Sequence, residues 1–216
     1  AQPNDDSVKL VAIQGGTEAK IGKEAYKDAY PLQYNSFMKN NEETPSPTGY
    51  GGSMEGNSHL EHQPEMLENF KGYKFALQYD DDRGHTYAGY DLLHTKRLPG
   101  QKGSCLQCKG SYVYDVYFKE GGWAYASKPF DEVAAPITCH DPDTMQLRVY
   151  QQGFVEAMAR RGVDVNAASH NDMRAYVCAQ CHTEYYFTAE DGRVNHPYDN
   201  GLDAESEYKF YQTGQA

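Results

Sequence analysis

Cys178-Ala179-Gln180-Cys181-His182 places two thiols at i and i+3 with an imidazole immediately after them. In a C-x-x-C-H stretch the thiols form thioethers with the haem vinyl groups, and the histidine ligates the iron. A second stretch, Cys105-Leu106-Gln107-Cys108-Lys109, keeps the thiol spacing but carries lysine in the histidine's place. A lysine amine in water is protonated at neutral pH and ligates only after losing that proton, so iron must hold Lys109 neutral. This marks a specialised haem, one whose opposite face can stay open for a substrate. Cys139-His140 is a shorter relative, where a single thioether can hold a haem with His140 as proximal ligand. The four paired thiols, Cys105, Cys108, Cys178 and Cys181, also admit a four-cysteine zinc site or dithiol redox chemistry. Zinc ribbons bring their pairs closer together in sequence and would leave His182 without a purpose. Haem is the reading that uses it.

Further stretches carry a resemblance. They include Tyr30-Pro31-Leu32-Gln33-Tyr34, Glu43-Thr44-Pro45-Ser46-Pro47-Thr48-Gly49-Tyr50-Gly51-Gly52 and Asp82-Arg83-Gly84-His85-Thr86-Tyr87-Ala88. Cys139-His140-Asp141-Pro142-Asp143-Thr144-Met145 and the segment from Tyr176 through Cys178 and His182 to Phe187 follow in order. Together with the C-x-x-C-K motif, the chain resembles the ammonia-forming cytochrome c nitrite reductases, which are pentahaem periplasmic enzymes. The resemblance runs over nearly the whole chain and departs from the family in two ways. The chain stops soon after its third haem site, at about half a family member's length, so two further C-x-x-C-H motifs, a catalytic histidine and a Lys-x-Gln calcium segment lie outside it. The family's middle site reads Pro-Ile-x-Cys-x-x-Cys-His, whereas Pro136-Ile137-Thr138-Cys139-His140 is three residues shorter and lacks one cysteine.

The resemblance implies six-electron reduction of nitrite to ammonium at the open face of the iron ligated by Lys109, with two or three haem c groups in this chain. Arg97 and Tyr185 match the family's active-site arginine and tyrosine, His85 a distal ligand to the haem at 178–182, and Glu184 with the Tyr185 carbonyl two calcium ligands. Calcium is thus a further cofactor that the resemblance brings, its remaining ligands lying outside this chain. Family members are homodimers reduced by a membrane-anchored, quinol-oxidising multihaem cytochrome. The rival reading is a truncated, non-catalytic multihaem electron-transfer cytochrome, distinguished by whether one haem binds nitrite or carbon monoxide. His59, His62, His94, His170 and His196 receive no role and are read as solvated.

Hydrophobic residues make up only 39% of the chain, although 19 tyrosines are present, and the mean hydropathy is -0.82. A protein-only core would be thin, and buried porphyrins would supply the missing apolar volume. A net charge of -11 argues against nucleic acid or an anionic membrane as partner. It also requires a local positive field, from iron and arginine, for an anionic substrate. No apolar run approaches a membrane span in length. Ala1-Gln2 is a start expected after signal-peptide removal, and attachment of haem c outside the cytoplasm places the protein in the periplasm.

These groups need elements to hold them. The expected fold is mainly α with long loops, one multihaem cytochrome c domain over 1–216, with a loop-rich part at 1–60 and a haem-binding part at 61–216. Gly15-Gly16 breaks the polar N-terminal stretch, 41–58 reads as a loop, and 120–136 is loop-like around Trp123. The pattern predicts a helix over 86–96, with Tyr87, Tyr90, Leu92 and Leu93 on one side, stopped before Pro99-Gly100 and able to lay Arg97 over the haem at 105–109. A longer helix is predicted over 143–161, weakened by Gly153 and ended by Gly162. Asn171 or Asp172 is the expected cap of the next helix, which should bring Cys178 and Cys181 onto one face. A last amphipathic helix is predicted over 204–211.

Overall fold

The computed structural model describes residues 22–45, 47–48, 53–97, 104–109, 135–190 and 192–214. The expectations for Gly15-Gly16, Pro99-Gly100 and the surroundings of Trp123 lie outside these residues. The architecture is mainly helical with long connections. Helices α1 (Pro31–Met38), α2 (His59–His62), α3 (Met66–Asn69) and α4 (Ala88–His94) precede the first thiol pair. Helices α5 (Gln152–Arg160), α6 (His170–Ala179) and α7 (Ala204–Gln212) follow it. Between α6 and α7, strands β1 (Tyr186–Phe187) and β2 (Val194–Asn195) pair antiparallel, Tyr186 opposite Asn195. Among the described residues no helix is long and apolar enough to cross a membrane.

The larger of the two buried clusters among the described residues is built on α5. Phe154, Ala157, Met158, Val165 and Tyr198 are buried together, and Met173 and Tyr176 of α6 pack against them. Gly153 does not weaken a helix middle, as the sequence predicts. It lies in the first turn, where a β-carbon would collide with the Val194 carbonyl oxygen, so glycine lets α5 approach β2. Gly162, at φ 77°, ends this stretch in the left-handed conformation that favours glycine.

The helix predicted over 143–161 forms only from Gln152 onward. Upstream, the Asp141 carboxylate accepts from the Thr144 and Asp143 amides at 2.9 and 3.0 Å and from the Thr144 hydroxyl at 3.1 Å. Although burial pushes the Asp141 carboxyl up, these bonds hold it below its ordinary value. Met145 then takes φ 57°, a left-handed turn that a helix cannot contain. Met145 is nevertheless buried against Tyr26 and Tyr30, which fixes the turn to the N-terminal part of the fold.

Helix α4 matches the prediction over its centre, preceded by a 3-10 turn at His85–Tyr87. Its outward face differs: Gly89 and Leu92 are buried, whereas Tyr90 and Leu93 are exposed. The tyrosines serve Arg83 instead, whose guanidinium lies 3.9 Å from the Tyr87 ring centre and 5.7 Å from that of Tyr90. The same guanidinium holds Asp91 of α4 through two bonds, at 3.1 and 2.5 Å. The cap of α6 is Ser169, not Asn171 or Asp172: its hydroxyl accepts the Asp172 amide at 3.2 Å and donates to the Asp172 carboxylate at 2.6 Å. Helix α7 begins where the sequence places it and buries Phe210, 5.4 Å from the Tyr186 ring.

Candidate functional site

All five cysteines are free thiols. Cys105 and Cys108 lie in a single 3-10 turn, Ser104–Cys108, and the Lys109 amide closes it by donating to the Leu106 carbonyl at 2.9 Å. Cys178 is the penultimate residue of α6, whereas Cys181 falls in the turn beyond it, its amide bonded to the Cys178 carbonyl at 3.2 Å. The two thiols therefore straddle the helix end; they do not share one helical face as predicted. Among the described residues no cluster of three or more His, Cys, Asp or Glu side chains is gathered for a metal ion.

The two motifs meet. The Cys108 and Cys181 thiols lie within interacting distance of each other, and that contact, with burial adding to it, pushes Cys181 up. The Tyr150 hydroxyl lies 3.7 Å from the Cys181 sulfur and donates to the Gln107 carbonyl at 3.3 Å. Cys139 stands near both thiols of the third motif; burial, then the proximity of Cys181 and Cys178, lifts it to about 11.

The predicted catalytic groups gather around the first motif. Burial raises the Cys105 thiol, while the charges of Arg97 and Lys109 pull it back down. Tyr185 is raised to about 12 by partial burial and by the Cys108 and Cys105 thiols, against the opposing charge of Arg97. Arg97, Lys109 and Tyr185 thus share one electrostatic neighbourhood with the C-x-x-C pair. The Arg97 guanidinium rests 4.9 Å from the Phe75 ring centre, and its Nε donates to the Thr95 hydroxyl at 3.4 Å.

Two observations bear on whether these residues fit haem. The His85 and His182 rings stand 6.0 Å apart, centre to centre. Metal–imidazole bonds of about 2 Å, with the half-width of each ring, put two imidazoles on one metal about 6 Å apart. His85 is lowered first by burial, then by His182 and Lys109, so a neutral, ligating ring is favoured. His140, in turn, places Nδ1 3.0 Å from the Met145 carbonyl. A carbonyl only accepts, so Nδ1 carries the hydrogen and Nε2 keeps the lone pair that a metal needs. The donor set fits haem.

Glu184 is exposed and its carboxylate accepts the Tyr211 hydroxyl at 2.9 Å, so α7 reaches the predicted calcium ligand. His196, read as solvated, is instead 1% exposed, with Nδ1 bonded to the Glu184 carbonyl at 3.0 Å. His59 pairs with Asp81 at 3.0 Å, His94 stacks on Tyr90 with ring centres 4.0 Å apart, and His62 and His170 are exposed.

Sequence reasoning passed over three glutamines. Gln107, Gln151 and Gln180 have no exposed surface at all. The Gln107 side chain donates to the Gly192 carbonyl at 2.8 Å and accepts the Val194 amide at 2.9 Å, clasping β2. Gln107 and Gln180 occupy the same place in their motifs, C-x-Q-C, and that repetition was the available signal.

A family model described as cytochrome c552 matches residues 22–215. A cytochrome c-552 of Porphyromonas gingivalis is 32% identical over 209 residues, covering 89% of this chain and 41% of that protein. The cytochrome c nitrite reductase subunit NrfA of Nitratidesulfovibrio vulgaris is 33% identical over 227 residues, 90% of this chain and 43% of that protein. The chain therefore spans less than half the length of these two relatives. Among solved structures, the cytochrome c nitrite reductase from Desulfovibrio desulfuricans ATCC 27774, whose catalytic subunit has two calcium sites, superposes with a TM-score of 0.79 at 31% identity. That match covers 92% of this chain and 48% of the other.

Proposed function

Because the chain belongs to the cytochrome c552 family, we propose that it carries haem c at Cys105 and Cys108, at Cys139, and at Cys178 and Cys181, and that it reduces nitrite to ammonium. One nitrite takes up six electrons and eight protons to give one ammonium and two waters. The observation that carries this reading is the convergence of Lys109, Arg97 and Tyr185 on the first thiol pair.

Haem, when bound, would supply a redox-active iron for binding and reducing the substrate. Lys109, once deprotonated, would be the side chain that holds this iron. The Arg97 guanidinium meets the charge on the nitrite oxygens, in a chain whose net charge of -11 otherwise repels an anion. Tyr185, raised foremost by burial, keeps its phenol proton at neutral pH and would donate it as a hydrogen bond toward the same oxygens. His140, with Nδ1–H anchored on Met145, would hold iron through Nε2, and His85 and His182, with ring centres 6.0 Å apart, would serve the third site.

The Glu184 carboxylate and the Tyr185 carbonyl supply two of the about six to eight oxygen ligands that calcium takes. The two calcium sites of the Desulfovibrio desulfuricans enzyme support this assignment. In the same reading the protein works in the periplasm, receives electrons from a membrane-anchored quinol-oxidising cytochrome, and pairs as a homodimer.

The test is a haem count by pyridine haemochrome on protein matured in a periplasm, followed by nitrite and carbon monoxide titration of the reduced form. Three haems with ligand binding at one of them is the expected result. Lys109→His should fill the site with an ordinary imidazole and slow nitrite reduction. Failure of either ligand to bind any haem would leave an electron carrier in place of an enzyme.

A further inference from the structure

We propose that Gln180 is a positioning residue that sets the mutual placement of all three haem attachment segments, not only of its own. Its carboxamide has two donor hydrogens and two acceptor lone pairs, and every one is used. The Oε1 atom accepts the Tyr150 and Gln151 amides at 3.0 and 3.1 Å. The Nε2 atom donates to the Val177 carbonyl at 3.1 Å and to the Thr138 carbonyl at 3.4 Å.

These four partners fall in three segments. Val177 precedes Cys178, within the third motif's own helix. Thr138 directly precedes Cys139, the single thiol of the middle site. Tyr150 and Gln151 lead on to the first motif: the Tyr150 hydroxyl and the Gln151 carboxamide both donate to the Gln107 carbonyl, at 3.3 and 3.2 Å. Gln151 Nε2 also lies 4.0 Å from the Cys108 sulfur, and its Oε1 accepts the Gly153 amide at 3.4 Å, fixing the start of α5.

A fully buried amide whose partners are backbone groups has little freedom, because any rotation leaves buried donors and acceptors unpaired. Gln180 therefore acts as a rigid junction. Movement of one haem attachment segment is transmitted to the others through fixed bonds, and the spacing of the cofactors follows from it. Passage of electrons between haems depends steeply on that spacing.

This inference rests on the haem reading above. It is tested on the full chain matured in a periplasm, with Gln180→Met removing all four bonds at similar volume. Mass spectrometry of proteolytic fragments reads haem occupancy motif by motif, and a potentiometric titration with electron paramagnetic resonance reads each haem's midpoint potential and signal. The expected result is a loss of occupancy, or a shift of potential, at Cys105–Cys108 and at Cys139 as well as at Cys178–Cys181. A control, Val165→Ala, trims the same core outside the network and should lower thermal stability while leaving the haem pattern intact. If only the haem at Cys178–Cys181 responds, if nothing responds, or if Val165→Ala gives the same pattern, the junction is refuted. Wild-type protein that carries no haem under these conditions refutes the haem reading itself and the junction with it.

Discussion

Acid should unfold this protein in part through His196. Its Nδ1–H is committed to the Glu184 carbonyl at 3.0 Å, so Nε2 carries the lone pair, and Nε2 is buried without a partner among the described residues. The Phe154 ring meets the imidazole edge-on with centres 5.4 Å apart, and the Tyr198 ring stacks on it at 5.1 Å. A proton on Nε2 would place a full charge where no acceptor waits. Burial foremost lowers the group from 6.5 to about 4, with the Glu184 bond opposing and Arg160 assisting. The unfolded chain therefore binds the proton first as pH falls. The stability contributed by neutral His196 is complete above 6.5 and drains away toward about 4. At about 1.4 kcal/mol per pKa unit, the whole loss is roughly 3 kcal/mol over that window. Urea unfolding at successive pH values, on wild type and His196→Phe, measures it. The variant should start about 1 kcal/mol weaker at neutral pH, having lost one hydrogen bond, and should then lose less on acidification. Parallel curves for the two proteins from about pH 7 to about pH 4.5 would refute the reasoning.

Other outcomes follow from the same geometry. Arg83→Met removes a nearly buried guanidinium from a partner, Asp91, whose side chain is 43% exposed and can turn to water. The cost should be about 1–2 kcal/mol, seen as a lower urea midpoint, and an unchanged midpoint would mean that the pair holds nothing. Phe154→Ala empties the centre of the α5 core and should cost about 3–5 kcal/mol; a loss below about 1 kcal/mol would show that the neighbouring rings collapse into the space. Tyr185→Phe keeps the ring and removes the proton donor, so nitrite turnover should fall while the haem count stays constant. Turnover equal to wild type would remove Tyr185 from the chemistry.

What could be read from the residues was chemistry fixed by local spacing. The thiol pairs and Lys109 belong to this class, as do the limits of α7, where Asp203 caps and Phe210 anchors. What could not be read depended on distant partners. Periodicity over 143–161 looks helical, yet the Asp141 turn and the left-handed Met145 divert the first half, and nothing in apolar spacing encodes either. Ser169 outcompeted Asn171 and Asp172 as a cap because its hydroxyl and the Asp172 carboxylate satisfy each other. His196 and the three glutamines are polar by type, so composition assigns them to solvent, and only the backbone groups brought to them from other segments make their burial tolerable.

The 6.0 Å gap between His85 and His182 has a polymer-physical side. One metal gripped by both rings would tie together points nearly a hundred residues apart along the chain, like a cross-link with a large loop. By the chain-entropy relation for cross-links, closing a loop of that size removes about 4–5 kcal/mol of freedom from the unfolded ensemble. Cofactor loading would then stabilise the fold from the unfolded side as well as by filling its interior. Release of the His85 bond would remove that topological restraint and return its freedom to the chain.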